Sequence, residues 1–337
     1  MKYFMHLSST YLLNAFLTIS LLFTPLFISG CSDAPEQTLR LGTNIWPGYE
    51  PLYLARERGH LDEEKVRLVE LSSSSQVLQA YRNNLIDAAA LTLDEVLLLL
   101  DSGESPKIIL VMDISNGGDA IIGQPEITKF KDILGKRVGV ENNALGAYVI
   151  HRALEIYGID KNAVKIIPLD INEQENAFKM RKVDAVVTFD PVRSRLLKAN
   201  ANLLFDSRRL PGEIVDVLIV RNTFLTNQPH TTSYLLNAWY RSLAYMKRNP
   251  REAAQILGTR MKLNVQDTLS AYNELILPDK VQNQQMLSNA NELGAKPKLL
   301  STALKLSTVM KKTNLLQNTL NPEQLFPTIN VDQISNE

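Results

Sequence analysis

The sequence carries too few reactive side chains to build most catalytic centres. Cysteine occurs once, as Cys31, and histidine four times in 337 residues. A single cysteine excludes an intramolecular disulfide, every cysteine-based zinc finger and every iron–sulfur cluster. His6, His60, His151 and His230 are too widely spaced for two of them to share a helix face as metal ligands. The Gly-x-Ser-x-Gly elbow, the phosphate-binding Gly-x-x-x-x-Gly-Lys loop and the dinucleotide-binding Gly-x-Gly-x-x-Gly turn are absent. An enzyme is therefore not expected, and no catalytic residue, metal or cofactor is assigned. Net charge is missing as well: 36 Lys and Arg balance 36 Asp and Glu, so no bulk positive field exists to hold nucleic acid by its phosphates. Aromatic residues are only 7%, whereas 45% hydrophobic and 21% charged residues are ordinary for a globular chain of this length, enough for two packed lobes.

Charge is scarcest at the start. Residues 1–30 contain one charged side chain, Lys2, and an apolar run from Tyr11 to Ile28 interrupted by Asn14, Thr18, Ser20, Thr24 and Pro25. That is the pattern of a secretory signal peptide, and Pro25 with small residues before Cys31 favours cleavage over a spanning helix. Phe27-Ile28-Ser29-Gly30-Cys31 resembles a bacterial lipobox, which implies a lipoprotein signal peptide over 1–30, lipidation at Cys31 and a polar tether over 31–38. The resemblance implies a periplasmic protein anchored to a membrane by its N-terminal lipid.

From Leu39 onward, short apolar runs alternate with helical patterns. Expected strands are Leu39–Thr43, Val66–Leu71, Ala88–Thr92, Ile108–Met112, Val138–Glu141, Val164–Leu169, Ala185–Phe189 and Val215–Val220. Many lack two-residue alternation, as strands buried on both faces do, and helical segments such as Leu145–Tyr157 lie between them. This predicts an α/β fold of βαβ units with largely parallel sheets. After Val220 only helices are expected, including Thr231–Lys247 with Leu235, Trp239, Leu243 and Met246 on one face and a stop at Pro250. Residues 317–337, with Pro322 and Pro327, read as a loosely packed tail. An internal echo sets Ile86-Asp87-Ala88-Ala89-Ala90-Leu91-Thr92 against Val183-Asp184-Ala185-Val186-Val187-Thr188-Phe189, 97 residues later; either two similar lobes or chance would produce it.

Uncommon residues cluster where strands end. Asn44-Ile45-Trp46-Pro47-Gly48-Tyr49 follows the first strand, where Pro and Gly make a turn and Trp46 and Tyr49 are placed to stack on a ligand; Trp46 could equally cap the core. Thr92 closes another strand. Ser115-Asn116-Gly117-Gly118-Asp119 reads as a hinge or backbone nest, and Glu141-Asn142-Asn143 as a helix entry whose N–H groups and carboxylate meet a crevice or whose Asn is a plain N-cap. Asp190 precedes Pro191 at a helix start, and Asp216 interrupts an apolar strand, where burial is costly unless Arg208 or Arg209 satisfies it together with Glu213. The candidate ligand-binding residues are therefore Asn44, Trp46, Tyr49, Thr92, Asn116, Asp119, Glu141, Asn142, Asp190 and Asp216.

These residues resemble the solute-binding proteins of ABC importers in the nitrate, taurine and sulfonate group, related to the pyrimidine-precursor binders of thiamine salvage. The likeness rests on Leu41-Gly42-Thr43-Asn44 with Trp46, Pro51-Leu52-Tyr53-Leu54-Ala55-Arg56-Glu57-Arg58-Gly59, Ile86-Asp87-Ala88-Ala89, Gly135-Lys136-Arg137-Val138-Gly139-Val140 and Val183-Asp184-Ala185-Val186-Val187. It implies a type II periplasmic-binding protein fold, two α/β lobes with a ligand cleft between them and a helical C-terminal part. On that fold, residues 39–121 and 213–316 form lobe one and residues 122–212 lobe two. The cysteine-rich motif of fungal pyrimidine-forming relatives is absent, and no run of Arg and Lys marks the candidate loops, which speaks against a straightforward nitrate or sulfonate ligand, although backbone N–H groups could still hold an anion.

The expectation is a monomeric solute-binding lipoprotein delivering a small nitrogen-containing organic solute to an ABC permease. The alternative is a sensory lipoprotein of the same fold that regulates a membrane kinase or cyclic-nucleotide enzyme. Asp119, Glu141 and Asp190 suggest a ligand with N–H donors or positive charge, such as an amine, amidine or aminopyrimidine, unless Lys136, Arg137 or Arg193 neutralises them. Cys31→Ala is expected to abolish incorporation of labelled fatty acid and leave unprocessed precursor; unchanged labelling and processing would refute the lipobox.

Overall fold

A computed structural model describes residues 37–141, 144–287 and 297–327. The signal peptide, Cys31, most of the tether and Asn142 lie outside the described residues. Two sheets organise the rest. The first contains β1 (Leu39–Thr43), β2 (Val66–Glu70), β3 (Ala88–Thr92), β4 (Pro106–Ser115), β10 (Val215–Arg221) and β11 (Leu275–Ile276), in the order β11-β4-β10-β3-β1-β2. The second contains β5 (Ala120–Gly123), β6 (Arg137–Val140), β7 (Lys165–Pro168), β8 (Ala185–Thr188) and β9 (Asn202–Asp206), in the order β7-β6-β8-β5-β9.

Parallel pairing is confined to the βαβ cores, β2-β1-β3 and β7-β6-β8. Both sheets are mixed, not largely parallel as expected: β10 runs antiparallel to β3 and β4, and β5 runs antiparallel to β8 and β9. The reason is connectivity. The chain passes from one sheet to the other after β4 and back after β9, and a strand that enters directly from such a crossing has no helix to reverse it. The short strands β5, β9 and β11 escape sequence reading for the same cause, since pairing rather than pattern defines them. β11 also interrupts the helices-only region expected after Val220.

The 97-residue echo is a repeated structural unit. Arg40 donates from its backbone N, Nε and Nη2 to the Asp87 carboxylate at 2.8–3.1 Å; Arg137 does the same to Asp184 at 2.8–3.0 Å. Each guanidinium also donates to the carbonyl of a residue in left-handed conformation, Asn84 (φ 57°) or Arg181 (φ 55°). The carbonyls of Asp87 and Asp184 accept from Arg221 N and Gln124 N, both at 2.9 Å. Both units thus lock a strand to the turn that follows a helix, at the strand ends remote from the cleft described below. Arg137, a candidate neutraliser of the cleft acids, is committed here, with Lys136 beside the same Asp184.

The C-terminal helices cover the first sheet. The helix Pro229–Arg248 buries Leu235 and Trp239 and ends where Pro250 opens the next helix, Pro250–Met261. Residues 317–327 are packed, contrary to the loose tail expected. Leu325 is fully buried, Lys107 Nζ donates to the Gln324 carbonyl at 2.6 Å, and the N–H groups of Gln317 and Asn318 donate to Asp101 at 2.9 and 2.8 Å. These anchors are isolated tertiary contacts without periodicity. Removing the equivalent clamps, as Asp87→Ala or Asp184→Ala, is expected to destabilise the protein by about 1–3 kcal/mol in each case, read from urea unfolding midpoints; no change in either would contradict a load shared by the two units.

Candidate functional site

Where the carboxyl ends of the parallel strands meet, Asn44, Trp46, Tyr49, Ser74, Thr92, Glu95, Asp119, Leu145, Phe189 and Asp216 line a narrow cleft. Both sheets contribute, as expected for open α/β sheets. Asn44 follows β1, Thr92 ends β3, Phe189 follows β8, Asp216 lies on β10 and Asp119 in the crossing to β5.

Six expected residues line this cleft: Asn44, Trp46, Tyr49, Thr92, Asp119 and Asp216. Three described ones do not. Asn116 is exposed, with its N–H donating to the Glu274 carbonyl at 2.8 Å, because Gly117 at φ 121° turns the chain outward there. Asp190 is buried but caps the helix Val192–Lys198, accepting from Ser194 N at 2.9 Å, and lies 3.7 Å from Arg193. Glu141 sits at the rim, accepting from Ser74 Oγ at 3.2 Å, and lines the adjoining groove. Sequence reading missed Ser74, Glu95, Leu145 and Phe189. Thr92-Leu93-Asp94-Glu95 is a capping-box pattern directly after a strand and could have revealed Glu95; Thr92 N–H donates to Glu95 Oε2 at 3.0 Å.

Trp46 is both core and wall. It is 4% exposed, packs edge to face on Phe189 with ring centroids 5.3 Å apart, and donates from Nε1 to Asp113 Oδ2 at 3.0 Å. Gly48 makes this possible, since a Cβ there would overlap the Asp113 carboxylate. Tyr49 donates its hydroxyl to Asp216 Oδ1. Arg208 and Arg209 do not satisfy Asp216 or Glu213 as expected: Arg208 pairs with Asp206 and Glu274, while Glu213 is held by Arg152 at 2.9 Å and by Tyr148 at 2.6 Å.

The lining is rich in acceptors. Asn44 Oδ1, Asp119 Oδ2 and Asp216 Oδ2 are buried without a donor. Among the described residues, no Lys or Arg lines the cleft and no cluster of His, Cys, Asp and Glu could hold a metal ion. Burial pushes Asp119 up to about 7, helped by Glu95 and opposed by a hydrogen bond from Ser115 and by Arg193. Burial likewise pushes Glu141 up to about 8, with Glu95 adding to it and Ser74 opposing.

The NMT1-like family model matches residues 32–258. A binding protein of Brucella abortus is 21% identical over 176 residues, 50% of this chain and 53% of that protein. The chain thus spans about half the length of the curated relatives it matches. The alkanesulfonate-binding protein SsuA of Xanthomonas axonopodis pv. citri, solved with MOPS bound, superimposes with TM-score 0.71 at 18% identity, covering 85% of this chain and 96% of that one. The ligand-binding component of an ABC-type import system from Staphylococcus aureus superimposes with TM-score 0.70 at 13% identity, covering 89% and 98%. The fold is the two-lobe type II periplasmic-binding fold.

Acids held protonated by the fold give a definite pH dependence. The folded state keeps protons that the unfolded chain has lost above about pH 4, so stability falls as pH rises from there through about 7 to 8 for Asp119 and Glu141. In ligand-free protein the melting temperature is expected to drop between about pH 5 and about pH 8, and Asp119→Asn should flatten that drop. A melting temperature that rises across the interval would refute the assignment.

Proposed function

The chain belongs to the NMT1-like family, and from that membership and its fold we propose that it is a lipid-anchored solute-binding protein outside the cytoplasmic membrane. It captures a small nitrogen-containing organic solute, cationic or rich in N–H donors, and presents it to an ABC permease. Residues 39–121 with 213–316 act as one jaw and 122–212 as the other, and a ligand touching both favours the closed arrangement by its differential affinity. The protein acts as a monomer and binds its solute without transforming it.

The observation that carries the ligand class is the lining: three acids, Glu95, Asp119 and Asp216, three aromatic rings, Trp46, Tyr49 and Phe189, and no cationic side chain among the described residues. Aromatic faces and carboxylates together favour a positive group through cation–π attraction and charge-assisted hydrogen bonds. A sulfonate or nitrate would find no Lys or Arg in this lining to pair with. Asn44 Oδ1 adds a neutral acceptor that only a donor satisfies.

A melting screen of alkylamines, amidines and aminopyrimidines against taurine and nitrate tests the reading. The nitrogen bases are expected to stabilise the protein, by about 2.7 kcal/mol at a hundredfold excess over Kd. Asp119→Asn is expected to weaken calorimetric binding by about 2 kcal/mol or more. Tight binding of taurine or nitrate, or unchanged affinity in Asp119→Asn, would overturn the cationic-solute assignment.

A further inference from the structure

Behind the cleft wall, two acids face each other with no base between them. Asp113 on β4 and Asp216 on β10 are direct partners across an antiparallel pairing, so their side chains share a face with Cβ atoms about 5 Å apart. Both are buried. One oxygen of each is held from the loop after β1: Trp46 Nε1 donates to Asp113 Oδ2 at 3.0 Å, and the Tyr49 hydroxyl donates to Asp216 Oδ1. The remaining oxygens, Asp113 Oδ1 and Asp216 Oδ2, have no donor. The groups around the pair are Trp46 and Tyr49, Thr92 on β3, Glu95 at the start of the helix Leu93–Asp101, Asp119 in the crossing and Tyr272 in the helix Val265–Asn273. None of these is basic. Arg193 acts on Asp119. Two carboxylates this close in a water-poor interior do not both ionise unless a cation compensates them.

We propose that Asp113 and Asp216 share one proton in the ligand-free protein and exchange it for the positive charge of the solute. The proposal rests on the cationic-solute reading and adds a proton partner to it. In the exchange the O–H bond of the pair breaks and its proton passes to the bulk buffer. An N–H of the bound cation then takes its place at Asp216 Oδ2, the member of the pair that lines the cleft. Charge in the site is conserved. Burial raises both carboxyls above the usual carboxylate range, and the neighbouring Asp113 raises Asp216 further. Because cation and proton compete, affinity rises with pH by up to about tenfold per unit while the pair holds its proton, and levels off above that range.

Calorimetry with n-butylammonium in two buffers of different ionisation enthalpy counts the protons released. About one more per bound cation is expected from wild type, where the pair is protonated, than from Asp113→Asn, whose amide N–H permanently serves Asp216. Binding of n-butylammonium with no proton release from wild type, or the same release from Asp113→Asn as from wild type, overturns the exchange and leaves the cationic-solute reading standing. If n-butylammonium does not bind, the cationic-solute reading loses its simplest ligand and infrared spectroscopy of ligand-free protein decides for the pair. A protonated-carboxyl C=O band near neutral pH that is weaker by one carboxyl group in Asp113→Asn than in wild type supports the shared proton; bands of equal intensity in the two overturn it.

Discussion

Burying a carboxylate away from water costs several kcal/mol unless donors or a cation compensate it, and the cleft is built around that cost. Asp94, Glu95, Asp113, Asp119, Glu141, Asp190 and Asp216 are all buried, while Arg193 is the only buried guanidinium or ammonium among the described residues. Neutral donors take part of the load: Trp46 for Asp113, Tyr49 for Asp216, Ser74 for Glu141 and the Ser194 N–H for Asp190. Burial raises Asp94, Asp113, Asp119, Glu141 and Asp216 above the usual carboxylate range, so these keep protons that an exposed acid would lose. A ligand that brings positive charge relieves the same cost without a proton.

The frame that places these acids is the repeated unit. Arg40 with Asp87 and Arg137 with Asp184 pin equivalent corners of the two sheets, and the strands then deliver their carboxyl ends to a common crevice. Asn44 and Glu141, equivalent positions 97 residues apart, stand at the ends of β1 and β6. One carries an amide and the other a carboxyl group, so the units are alike in scaffold and different in chemistry.

The two sheets are joined where the chain crosses. Ser115 and Ser207 share a hydrogen bond at 2.7 Å, and Gly117 N donates to Ser207 Oγ at 2.6 Å, so both crossings are joined at one point. Glu274 gathers Arg208 at 2.9 Å and Arg193 at 3.4 Å. Gly117 leaves room for that carboxylate, which a Cβ would overlap. Lys198 and Asp267 add an ion pair between the helix Val192–Lys198 and the C-terminal helices. These contacts tie the second sheet's helix to the cover of the first sheet.

Much of this was legible in the chain itself. Eight of the strands could be read because runs such as Ala88–Thr92 and Val215–Val220 are apolar beyond what a half-exposed strand allows, and the echo at Asp87 and Asp184 marked a repeat whose arginine partners lie outside the echoed segment. The loops after β1 and β4 showed themselves through Trp46, Tyr49 and paired glycines. What one dimension could not supply was partnership. Asp190 and Asp119 look alike in sequence, yet Ser194 and Arg193 claim the first while the second faces the cleft. Arg208 looked like the partner of Asp216, but the antiparallel return of β10 sets that acid against Asp113 and beneath Tyr49. Local pattern determined which segments are strands, helices and turns, and it also gave Asp190 its partners one helical turn away, because periodicity and backbone preference act over a few residues; what faces Asp113 and Asp216 was decided by contacts between residues 67 to 167 positions apart, and those exist only once the strands and loops of the first sheet are folded together.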